Sequence, residues 1–120
     1  MGVKIVDKID KDYKIMSIGN DCFSIIKIKS NFIKKDGELN IYYVKNKLWV
    51  FINNLIKNKY NDYFKDTFFI TYTSKFKNIN KNKNLIVFEI NIFPKKNENF
   101  DEKIREFIDD IDLNEIIKLI

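Results

Sequence analysis

The chain has 120 residues, 45% of them hydrophobic, with 22 basic and 17 acidic side chains for a formal charge of +5; this size fits one domain with a sizeable core. His is absent and Cys occurs once, which excludes Ser-His-Asp and Cys-His catalysis, His-ligated zinc, Cys-built metal clusters and an intrachain disulfide. Lys, Asn and Ile supply 59 residues (21, 16 and 22), an enrichment that matches an AT-rich genome background, whereas a groove reading phosphates or base edges favours the bidentate fork of Arg.

Met1 to Asp7 is charged early and lacks the apolar stretch of a signal peptide. Val6 stands where a myristoylated Gly2 would need Ser or Thr. No apolar run approaches the ~20 residues that cross a bilayer. A reduced, cytoplasmic location without membrane contact is the expectation.

Strands are expected at Val3–Lys8 and Tyr13–Ile18, separated by a turn at Asp10-Lys11-Asp12. Gly19-Asn20-Asp21 predicts a second turn, and Cys22–Lys34 a strand in which Ile26 and Ile28 face the core while Lys27 and Lys29 face water. Asp36-Gly37 reads as a tight hairpin leading into a fourth strand, Leu39–Val44. On that strand the adjacent Tyr42 and Tyr43 would point to opposite faces.

The period then changes. Leu48, Phe51, Ile52, Leu55, Ile56, Tyr60, Tyr63 and Phe64 recur at helical spacing, with Asn46 as the expected cap. Trp49 lies just off the centre of that stripe, as a core-edge residue or an interface anchor. A second strand pair, Thr67–Phe76 and Leu85–Phe93, follows, with Pro94 ending the ladder. Asn99 with Glu102, and Asp112 with Glu115, mark two helix starts, predicting helices over Phe100–Asp109 and Leu113–Lys118. The expected order is ββββ-α-ββ-αα: an α+β domain spanning 1–120, an antiparallel sheet with helices packed on one face.

No phosphate-binding loop or dinucleotide fingerprint is present. Cys22 beside Asp21 reads as a small half-buried side chain, since a neighbouring anion disfavours the thiolate. Asp10, Asp12 and Asp21 are turn acids whose turns would lie at opposite ends of a meander, which separates them as metal ligands. Asp109 and Asp110 read as exposed residues at a helix end. No catalytic residue, metal or cofactor is expected.

The connector Lys75–Lys83 carries Lys75, Lys77, Lys81 and Lys83 with no acid, and with Tyr72 nearby it suits a nucleic-acid backbone, an acidic protein or plain solvent. Residues 1–94 hold 17 basic and 9 acidic groups, and residues 95–120 hold 5 and 8. That asymmetry would be satisfied by an external partner, by the molecule itself or by a second copy. The C-terminal Ile116, Ile117, Leu119 and Ile120 call for a second layer or an oligomer built through the C-terminal helices. Aromatic residues make 15% of the chain, and Tyr and Trp suit interfaces. The leading expectation is a non-enzymatic binding protein, an inhibitor, immunity or adaptor protein that occupies a surface on a partner, with Tyr42, Tyr43, Trp49, Tyr72 and the four lysines as contact candidates. The alternatives are nucleic-acid binding through the connector and a carboxylate-dependent metal enzyme.

Overall fold

A computed structural model describes residues 3–34, 41–78 and 83–118. Its elements are β1 (Val3–Ile18), β2 (Asp21–Lys34), α1 (Ile41–Asn58), β3 (Phe64–Asn78), β4 (Lys83–Pro94), α2 (Phe100–Asp110) and α3 (Leu113–Lys118). The four strands form one antiparallel sheet in the order β1-β2-β4-β3. The α+β class and the helices against the sheet are as expected; the strand count is not.

Two corrections account for it. The expected turn at Asp10-Lys11-Asp12 is strand: β1 runs unbroken through it, with a register shift between Val6 and Asp10. Asp10 sits opposite Lys29 and Asp12 opposite Lys27, so residues that resemble turn acids are cross-strand charge partners. The real turn is Gly19-Asn20, where Gly19 has φ 62° and Ile18 pairs with Asp21 across it; positive φ at the first position of a two-residue hairpin turn is where Gly is favoured.

The second correction is Leu39–Val44. Ile41 onward is helix, so Tyr42 and Tyr43 lie on adjacent helical positions and Asn46 sits in the helix body rather than at its cap. Ile41-Tyr42-Tyr43-Val44 has strand-like composition, but Val44, Leu48, Ile52 and Ile56 form one buried stripe four residues apart, and burying it overrides local preference. The expected Asp36-Gly37 hairpin lies outside the described residues.

The core is a sandwich of that stripe with Ile26, Ile28 and Phe32 from β2, Ile86, Phe88, Ile90 and Ile92 from β4, and the apolar sides of α2 and α3. Leu113, Ile116 and Ile117 are buried within this chain, so the second layer that α3 needs is supplied internally; Leu119 and Ile120 lie outside the described residues. Tyr60, Phe64, Phe100 and Phe107 pack as stacked and edge-to-face rings with centroids 5.1–5.8 Å apart, locking the α1–β3 corner onto α2.

Asp112 caps α3 as expected, its Oδ1 accepting from the amides of Asn114 (3.0 Å) and Glu115 (3.3 Å). Asn99 does not cap α2 with its side chain. It takes a left-handed conformation, φ 59° and ψ 18°, which Asn tolerates better than most residues.

Candidate functional site

α1 departs from ordinary amphipathicity on its solvent side. Opposite its buried stripe, helical periodicity places Tyr43 and Val50, with Tyr42 and Trp49 on the flank above β3. These side chains are 39%, 50%, 60% and 45% exposed. A surface helix normally turns charged or small polar groups outward; here Tyr43 and Val50 share that side with Asn46, and Tyr42 and Trp49 add exposed aromatic surface on the flank. Lys45 Nζ lies 5.7 Å from the Tyr42 ring centre and Lys47 Nζ 5.5 Å from that of Tyr43, so the rings carry cationic neighbours. α1 contains Lys45, Lys47 and Lys57 and no acid. Trp49 stacks on Phe68 at 5.4 Å, which fixes its orientation while leaving almost half of it in solvent.

Of the other contact candidates, Tyr72 lies on edge strand β3, 36% exposed, with its ring 6.3 Å from Phe88. Lys75 and Lys77 belong to β3 and Lys83 to β4, so both strands extend beyond their expected ends into the basic connector; Lys81 lies outside the described residues. The structure thus brings Tyr42, Tyr43 and Trp49 onto one helix, places Tyr72 on the strand beneath its flank, and sets Lys75, Lys77 and Lys83 toward one end of the β3–β4 pair.

Sequence reasoning left one face of the sheet to solvent, with Lys27 and Lys29 on it, but missed the aromatic group that this face carries. Met16 pairs with Phe23 across β1 and β2, the Phe23 and Phe93 rings lie 5.9 Å apart, and Phe69 meets Phe93 edge-on at 5.8 Å. Beyond the row of Lys14, Ile25, Asn91 and Phe69, two rows are mixed in charge: Asp12, Lys27, Glu89 and Thr71 align, as do Asp10, Lys29, Val87 and Thr73. Opposite signs alternate across these two rows, so the middle of the face carries no single-sign field. Register, not composition, reveals this.

Several titratable groups tie the helices to the rest of the fold. Tyr13 Oη donates to Asp101 Oδ1 (3.0 Å) and accepts from Arg105 Nε (2.7 Å), while Arg105 also pairs with Asp101 at 2.9 Å. Lys11 Nζ donates to the backbone carbonyls of Ile108 and Ile111, placing a cation at the negative end of α2. Lys59 Nζ and Tyr60 Oη both donate to Asp110 Oδ2. Burial, reinforced by the hydrogen bond to Asp110, pushes the Tyr60 phenol far above its ordinary range.

Cys22 is half-buried, its Sγ donating to Asn97 Oδ1 at 3.0 Å; burial and then the Asp21 charge push its thiol pKa up, away from nucleophilic character. It lines a cleft of about 490 Å³ with Asp21, Phe23, Lys65, Phe93 and Lys95. Asp10 and Asp12 lie along β1 and Asp21 at the start of β2. Among the described residues no group of three or more His, Cys, Asp or Glu side chains is placed to hold a metal ion, and no helix is long and apolar enough to cross a membrane. Compared with protein-family models, with curated proteins and with solved structures, the chain matches none.

Proposed function

We propose that this is a non-enzymatic binding protein of the inhibitor, immunity or adaptor kind, acting in the cytoplasm by docking the solvent side of α1 onto a partner protein. The observation that carries the reading is the exposure of Tyr42, Tyr43, Trp49 and Val50 on the solvent side and flank of a helix that already buries its other side. Large aromatic groups held in place by packing lose little freedom on binding and dominate interface energies. The charge of α1, three Lys and no acid, calls for an apolar groove with an acidic rim. The test is capture on the tagged full chain with and without nuclease. A partner protein retained in stoichiometric amount after nuclease supports the reading; retention of nucleic acid alone rejects it.

A nucleic-acid role through Lys75, Lys77, Lys81 and Lys83 is the second reading. Backbone register supports it by setting Lys75 opposite Leu85 and Lys83 opposite Asn78 and Ile33, at one end of the sheet. Replacing Lys77, Lys81 and Lys83 by Ala would then lower both RNA or DNA affinity and its salt dependence; unchanged affinity and slope would reject it.

A further inference from the structure

The two edges of the sheet are treated differently. An open edge offers unpaired amides and carbonyls to any extended chain, and folded proteins blunt such edges with charges, prolines, bulges or a covering element. The β1 edge has these protections. Lys8, Asp10, Lys11, Asp12 and Lys14 lie along it, its register shifts between Val6 and Asp10, and Lys11 and Tyr13 tie it to α2.

The β3 edge has none of them in its middle. Thr67 to Ser74 (Thr-Phe-Phe-Ile-Thr-Tyr-Thr-Ser) contains no charge, no Pro and no Gly, and is built of residues favoured in strands. Its register against β4 is unbroken from Phe68 to Phe76, a straight run of about 30 Å. Thr71, Tyr72, Thr73 and Ser74 are all exposed, and Phe69 is 53% exposed. On the helix side Trp49 overhangs this strand by stacking on Phe68.

We infer that β3 is a pairing edge whose occupant is the β3 strand of a second copy, antiparallel about a twofold axis at Ile70, joining two four-stranded sheets into one. Backbone groups on the edge require an extended strand as occupant, and the chain carries a neutral, self-complementary one. With the axis at Ile70, Phe68 of each copy stands opposite Tyr72 of the other on the helix side, and Phe69 opposite Thr71 on the open side; no two like charges face each other between Thr67 and Thr73. Aromatic cross-strand pairs are the favourable kind. The charged β1 edge is a poor match for this tract, so head-to-tail stacking of β3 on β1 is disfavoured and the assembly closes at two copies. The inference does not depend on the outward side of α1 binding a partner.

Analytical ultracentrifugation of the full chain across about 1 μM to 1 mM tests it, since that range resolves dissociation constants of those sizes. Wild type is expected to sediment as a dimer at the upper end. Phe69→Lys with Thr71→Lys sets Lys against Lys twice about the axis and is expected to weaken the dimer by about tenfold or more. Phe69→Lys with Thr71→Glu sets opposite charges in the same places and is expected to remain dimeric, which controls for loss of Phe69. Both positions are exposed, so each variant's urea unfolding curve checks that the fold survives. A wild type that is monomeric throughout, a Lys/Lys variant as dimeric as wild type, or a Lys/Glu variant as dissociated as Lys/Lys would each overturn the pairing.

Discussion

Asp110 joins the end of α1 to the end of α2 by accepting hydrogen bonds from Lys59 and Tyr60. Partial burial pushes its carboxyl pKa up, but the hydrogen bonds from Lys59 and Tyr60 and the Lys59 charge outweigh that, holding it below the usual carboxylate range. A depressed folded value gives stabilisation that is complete above the unfolded pKa of about 3.9 and is lost as pH falls through the folded value. Asp110→Asn is therefore expected to cost about 1 kcal/mol at neutral pH, with the difference from wild type closing as the pH drops below that range; urea unfolding at several pH values measures both. Ser30 offers the opposite sign. Its hydroxyl is buried without a hydrogen-bond partner, so Ser30→Ala is expected to stabilise by up to about 1 kcal/mol, read from the shift in urea midpoint at unchanged slope. Neither residue stands out in the sequence: Asp110 looks like one of several acids at a helix end, and its partners lie 50 residues away.

Leu48 and Trp49 are adjacent on α1 and do different work. Leu48 is buried, and Leu48→Ala is expected to cost about 2–5 kcal/mol as lost burial plus cavity. Trp49→Ala removes a half-exposed ring stacked on Phe68; it is expected to cost less than Leu48→Ala in the same denaturation experiment while reducing partner capture. Equal losses of stability would place Trp49 in the core and remove it from the interface. Helix α1 was legible from Leu48 to Asn58 because its apolar spacing is regular, but Tyr60, Tyr63 and Phe64 continue that spacing past the end of the helix, and Phe64 begins β3. The first turns of α1 were not legible: Tyr42, Tyr43 and Val44 have strand composition, and only the stripe continuing back to Val44 shows their state. The break assigned at Asp10–Asp12 failed for a related reason. Asp-Lys-Asp has turn chemistry in isolation, and the Lys27 and Lys29 that face it belong to another strand. The hairpin at Gly19-Asn20, the strand β4 and the cap at Asp112 were readable because each is specified by residues a few positions apart.

At the scale of the whole molecule, the basic first part and acidic tail fold against each other. Lys11 meets the end of α2 and Lys59 meets Asp110, while Arg105–Asp101, Lys103–Glu106 and Lys118–Glu115 pair within the tail helices. One ion pair and the Lys11 contact thus join the two parts, and the middle rows of the helix-free sheet face are mixed in sign. Two surfaces lie open beside them: the outward side of α1 and the uncharged edge of β3. Composition could show that aromatic residues were plentiful, but it could not show which of them the fold leaves in water. Docking of α1 onto a partner protein is decided by nuclease-treated capture on wild type beside Tyr42→Ser with Val50→Ser. Both residues are at least half exposed, so the variant is expected to keep the wild-type unfolding curve and lose the captured protein; full retention of that protein by the folded variant would contradict the docking.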